Sequence, residues 1–264
     1  MDKLSAQEIY IRKQIQIKIT ITLTRILIFI AFIILWEICA RKGIIDSFFF
    51  SSPSRIITTF ISMCINDSLF LHIGITLIET FISFFLVLLI GIVTALLLWQ
   101  FPKAAAIFEP YLVVLNSLPK SALAPLLIVW FGTNMKTIII AGISVAIFGS
   151  IINLYTGFQE IEPDKLKLIQ TLGGTKKDIL SKVVLPSSIP YILGNMKVNI
   201  GLCLVGVIIG EFIGAKQGLG YLIIYGSQVF KLDWVIMSIV ILCIVAMGLY
   251  SLINLLEKVY SKRI

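Results

Sequence analysis

The chain has 264 residues, 58% of them apolar and only 14% charged, with a formal net charge of +8. Soluble domains average about 45–50% apolar and roughly 25% charged residues, so this composition excludes one and indicates an integral membrane protein. The positive excess, which would suggest nucleic acid in a soluble protein, is read here as the cations that set membrane orientation.

A helix needs about 20 apolar residues to cross the hydrocarbon layer. Six runs reach or approach that length, at about 21–40, 75–99, 111–131, 137–157, 191–213 and 234–256. They are continuous rather than alternating, which predicts an all-α protein with about six transmembrane helices and not a barrel. Residues 1–20 mix charge with Ile9, Tyr10, Ile11, Ile15, Ile17 and Ile19, and predict an interfacial segment on the inner leaflet. Residues 21–68 hold the first spanning helix and an outer loop with a short helix around 56–65. The first run lacks a small-residue cleavage site and reads as a retained helix.

Residues 69–256 form the transmembrane core. Glu79, near the outer boundary of helix two, either snorkels to the headgroups or faces a pore. Pro102, Pro110, Pro119 and Pro125 lie between Phe101 and Phe131, before and within the third run. Each proline removes a backbone bond, and in lipid the freed carbonyl needs a protein neighbour or water. Helix three is therefore predicted to be bent and interior. Lys120, beside Pro119, faces either a cytoplasmic vestibule or the headgroups. Small residues recur in helix four, at Gly142, Ser144, Gly149 and Ser150, and allow close packing or leave room for a path.

The segment 160–190 is the one long polar stretch in the middle of the chain. Pro163 suits the first position of a short helix. Leu166, Ile169 and Leu172 recur on one helical face. Gly173 and Gly174 suit its end, and Thr175 with Asp178 forms a capping-box pattern for a second short helix, closed by Pro186. Most Lys and Arg fall on the side of this elbow, which places it, both termini and the basic tail 257–264 in the cytoplasm.

In helix five, Gly206, Gly210 and Gly214 lie on one face and permit close packing, within a bundle or between subunits. Asn195 and Asn199 sit in its inner half and need partners, and Glu211 lies near its outer end. The glycine-rich connection 214–233 predicts a hairpin dipping partway into the membrane. Cys39, Cys64, Cys203 and Cys243 show no paired spacing, and His72 is the one histidine, so neither a disulfide nor a metal site is expected. No glycine-lysine phosphate loop, serine elbow or zinc motif appears, so no catalysis is expected of this chain.

Gly173, Val183, Leu185 and Pro186 stand at the spacing of a glycine, nine residues, an aliphatic residue, any residue, Leu and Pro. This resembles the EAA loop of the permease subunits of binding-protein-dependent ABC importers. Thr171-Leu172-Gly173, Ile189-Pro190-Tyr191, Gly210-Glu211-Phe212, Gly218-Leu219-Gly220-Tyr221, Leu35-Trp36-Glu37, Ser52-Pro53-Ser54-Arg55, Pro125-Leu126 and Trp130-Phe131-Gly132 extend the resemblance to the nitrate/sulfonate/taurine-type branch. It implies a type I importer (MetI-like) permease fold in a bacterial plasma membrane. The implied partners are a second copy of the chain, an extracytoplasmic solute-binding protein and two cytoplasmic ABC ATPases, which hold the ATP and Mg. A cytoplasmic coupling helix in 160–185 docks the ATPases, with Leu166, Lys167, Ile169, Thr171, Leu172, Gly173 and Gly174 as the coupling residues. Gly206, Gly210 and Gly214 are then expected at a subunit interface, and Lys120, Asn195, Asn199 and Glu211 along the path. Two positions depart from the family: Lys167-Leu168-Ile169 replaces Glu-Ala-Ala, and Glu79 stands where a base is commoner. The competing readings are an ion-coupled secondary transporter, which predicts acids at helix centres and an internal repeat, and a non-transporting membrane assembly factor.

Overall fold

The computed structural model describes residues 6–66 and 69–261, and all regular structure among them is helical. The helices are α1 (Ala6–Arg41), α2 (Ser47–Phe50), α3 (Pro53–Asn66), α4 (Leu69–Gln100), α5 (Pro102–Ser117), α6 (Lys120–Phe131), α7 (Met135–Gln159), α8 (Pro163–Thr171), α9 (Lys176–Ile179), α10 (Leu185–Gly214), α11 (Leu219–Gln228) and α12 (Leu232–Ser261), with a π-helical turn at Leu180–Val184 between α9 and α10. Among the described residues, five helices are long and apolar enough to cross a membrane, or six if α5 and α6 count as one broken span.

The expected interfacial segment and first spanning helix form one rod. Neither Gly nor Pro occurs within α1, and the helix does not break at residue 20; residues 1–5 lie outside the described residues. The apolar window of α1 buries nothing against the rest of the chain. Its C-terminal turn is tied down by Glu37, which accepts from the Ser54 N–H (3.1 Å) and Oγ (2.9 Å). Arg55 in turn pairs with Asp233 (2.6 Å), which also accepts from Ser51 Oγ (2.6 Å), so one polar brace joins α1, α3 and α12 at the same end of the molecule.

The core is built on α4, α7 and α10. Phe84 and Val87 from α4, Ala146 and Ile151 from α7, and Ile200 and Cys203 from α10 are all buried in one cluster. Lipid tails are as apolar as these side chains, so close van der Waals packing holds such helices together, and small residues set how near they come. A second cluster, with Leu154, Phe158, Ile179, Val183 and Val184, carries the packing on to the elbow.

The third run is two helices, not one bent helix. α5 and α6 meet at 93°. Leu118 is extended, as a residue before proline prefers, and Pro119 opens α6 without an N–H. Within the single chain this pair is mostly uncovered. Only Ala105 and Ala124 of the pair are buried, while Val129 and Trp130 are 81% and 64% exposed. The apolar middle of the 214–233 connection folds as helix α11; at ten residues it rises only about 15 Å and cannot cross.

Candidate functional site

The elbow follows α7 directly. Helix α8 ends in a Schellman motif: the Gly174 N–H bonds to the Ile169 carbonyl (2.9 Å) and the Gly173 N–H to that of Gln170 (3.0 Å). Gly173 has φ +79°, and a Cβ on Gly174 would lie 2.8 Å from the Ile169 carbonyl oxygen, so both positions demand glycine. Thr175 and Asp178 complete the capping box of α9 in both directions (2.9 and 3.3 Å).

Pro186 does not close the second helix. Through the π turn, the Leu185 N–H bonds to the Leu180 carbonyl, one residue beyond the α pattern. The wider turn makes room for the ring of Pro186, whose position in the first turn of α10 needs no N–H. The helix then continues past Pro190. Residues Lys176–Gly214 form one span of 39 residues, so the fifth crossing and the second half of the elbow are one rigid body.

The expected coupling residues divide between two faces. Leu166 and Ile169 turn inward onto the cluster of Ile179 and Val183. Lys167, Thr171, Leu172 and Gly173 face outward, with Leu172 at 76% exposure, so the single apolar face drawn through Leu166, Ile169 and Leu172 is split. The outward apolar pair is Leu168 and Leu172, one turn apart. Leu168 escaped sequence reasoning, although its spacing from Leu172 carries the signal. Lys167 forms a long surface contact with Asp164 (3.8 Å).

The predicted path residues do not line one channel within the chain. Lys120 lies level with the middle of α7, beside Phe148. Its ammonium donates to the Leu115 carbonyl, the group that Pro119 cannot satisfy, and sits 5.1 Å from the ring centre of Phe148. Phe148 is halfway along α7, so this cation marks the helix break at mid-height. Asn195 donates to Ser150 Oγ (2.8 Å) and Asn199 donates to Asn195 Oδ1 (2.6 Å); both are buried between α10 and α7. Gly206, Gly210 and Gly214 are also filled from within. A Cβ on them would lie 2.8 Å from Gly142 Cα, 3.1 Å from Ile138 Cα and 2.8 Å from Ile128 Cδ1. That face belongs to α7 and α6 of the same chain, which corrects the expectation of a subunit interface there.

At the end opposite the elbow, Glu211 is fully buried. It accepts from Thr76 Oγ1 (2.7 Å) and from the Gly220 N–H (2.6 Å). The α10–α11 connection folds over it, held by bonds from the Gly218 N–H to His72 Nδ1 (3.0 Å) and from the Leu219 N–H to Thr76 Oγ1 (2.9 Å). Glu79 lies against it and is also buried, so the snorkelling alternative is overturned. The reason is packing: α10 and α11 lie against α4 and hold the Glu79 carboxyl away from lipid.

Residues 87–264 match the family described as "Binding-protein-dependent transport system inner membrane component". The chain is 30% identical to the formylaminopyrimidine transport permease protein of Halalkalibacterium halodurans, over 74% of this chain and 77% of that one. It is 26% identical to a putative aliphatic sulfonates transport permease protein of Bacillus subtilis, over 86% and 82%. The permease of the MetNI methionine ABC transporter superposes with a TM-score of 0.64 at 20% identity, over 70% of this chain and 93% of that one, and so shares the fold. With the helical core, the ordered elbow and these likenesses together, the chain is a multi-pass inner-membrane protein with the MetI-like fold and belongs to the family of binding-protein-dependent ABC importer permeases.

Proposed function

We propose that two copies of this chain form the membrane path of an importer for a small solute, with the elbow in the cytoplasm docked on ATPase subunits that bind and hydrolyse ATP with Mg. The observation that carries this reading is the elbow itself. It presents Leu168 and Leu172 outward on a short helix whose end is locked by a Schellman motif. Beyond the glycine corner it is continuous with the fifth crossing. A push on α8 therefore reaches α10 without passing through a flexible loop. The exposed outer faces of α5 and α6 lie beside the break that carries Lys120, and we place the path along that corner. A solute-binding protein delivers the solute at the far end. The relatives' names include sulfonates and an aminopyrimidine, which supports small polar organic solutes as the class.

The test is uptake by the complete transporter in proteoliposomes. Leu172→Asp places a charge on the docking face, and uptake is expected to fall at least tenfold while the protein still inserts and its partner ATPases still bind nucleotide. Uptake that runs on an ion gradient without ATP, or that survives Leu172→Asp unchanged, overturns the reading.

A further inference from the structure

A cavity of about 250 Å³ opens at the end of the bundle opposite the elbow, between the start of α4, the α6–α7 turn and the α10–α11 connection. Thr133, Asn134, Lys216 and Gln217 make its wall polar, and Glu79 reaches it from α4. Glu79 is 1% exposed, and its Oε2 has no hydrogen-bond partner in the chain. Its neighbour Glu211 is held by Thr76 and Gly220 and hydrogen-bonds the Glu79 carboxyl, which leaves Glu79 Oε2 as the open acceptor and one negative charge on the pair. These two are the only buried charged side chains among the described residues, and both are acids. Neither takes part in any ion pair among those residues.

A buried acceptor without a donor is costly, and a buried acid without a counter-charge more so. Among the described residues no buried cation lies here. Lys216 is an exposed side chain at the rim. Lys120 is on the order of 15–20 Å away along α7, given a rise of about 1.5 Å per residue. What is missing is a hydrogen-bond donor, preferably a positive one. We propose that this cavity binds the amino or ammonium group of the carried solute, with Glu79 Oε2 as its acceptor. The proposal rests on the importer reading and narrows it: an amino-bearing pyrimidine or aminosulfonate suits the site, and a plain alkanesulfonate does not.

The test uses the complete transporter in nanodiscs, without binding protein. The probes are 2-aminoethanesulfonate, ethanesulfonate, formylaminopyrimidine and methylammonium, titrated against the wild type, Glu79→Gln and Lys216→Gln. The amino-bearing probes are expected to bind the wild type saturably and ethanesulfonate not to bind. Glu79→Gln should weaken them about tenfold or more, as loss of a charge-assisted bond does. Lys216→Gln changes only an exposed side chain and should strengthen them several-fold by removing the nearby positive charge. The proposal is overturned by equal binding of ethanesulfonate, by failure of every amino-bearing probe on the wild type, or by affinities of Glu79→Gln within twofold of wild type. Sodium ions that saturate the site and exclude the amines also overturn it, by assigning the cavity to an inorganic cation. Should Glu79→Gln not assemble, Lys216→Gln decides alone, and unchanged amine affinity refutes the proposal. All these results concern the cavity; the importer reading is tested separately, by the ATP dependence of wild-type uptake and by Leu172→Asp.

Discussion

Gly218 and Gly220 show how closely single residues govern the end of the bundle opposite the elbow. Gly218 has φ +111°, a backbone that side-chain-bearing residues rarely adopt, and a Cβ there would meet the Glu211 carboxyl at 2.4 Å. A Cβ on Gly220 would lie 2.8 Å from Glu211 and 3.0 Å from the Ile208 carbonyl oxygen. Overpacking of this kind costs about 1–3 kcal/mol. Gly220→Ala is therefore expected to lower the thermal midpoint of the purified transporter by several degrees, whereas Gly194→Ala, which meets nothing within 4 Å, leaves it unchanged. At the elbow, Gly173→Ala meets no neighbour but must take the left-handed conformation, at about 1 kcal/mol. Gly174→Ala drives its Cβ against the Ile169 backbone. Gly174→Ala should accordingly impair ATP-coupled uptake more than Gly173→Ala, measured at matched amounts of inserted protein.

At the scale of elements, the elbow works because its helices are joined without slack. The π turn keeps α9 and α10 in one rod despite Pro186, while the Schellman motif sets the angle of α8 against that rod. Inward residues and outward residues of α8 should then fail differently. Ile169→Ala removes contacts to the Ile179 cluster and is expected to destabilise the transporter by about 2–4 kcal/mol, seen as reduced thermal stability. Leu168→Asp touches no core, leaves stability within about 0.5 kcal/mol, and lowers binding of the ATPase subunits in a pull-down from detergent. Equal stability loss in the two variants contradicts the division of faces.

For the whole molecule, the opposite placement of the elbow and the Glu79 cavity is the central geometric claim. Helix α7 starts at the cavity and ends at the elbow, and α10 runs back, so Leu172 and Lys216 belong to opposite membrane faces. In a variant lacking the four native cysteines, Leu172→Cys is expected to react with an impermeant maleimide only in inside-out vesicles, and Lys216→Cys only in right-side-out cells. Labelling of both from one side refutes the topology.

Much of this was legible in the residues. The apolar runs, the elbow's proline, its two glycines and its Thr175–Asp178 cap are local features, and they fold as their neighbours in the chain dictate. Spacing alone left several points unsettled or wrong: the break at Pro119 became a right-angle corner, Gly206 and Gly210 packed on α7 instead of a second subunit, Leu172 turned outward, and Glu79 was buried. Each of these depends on which helix covers a given face. Periodicity states that a face is apolar or small, but several neighbours satisfy that condition equally well, and in a membrane lipid is one of them. Hydropathy therefore determined that the chain spans a bilayer and where it turns, while only the packing of α4, α7, α10 and α11 decided which polar groups were buried inside the bundle.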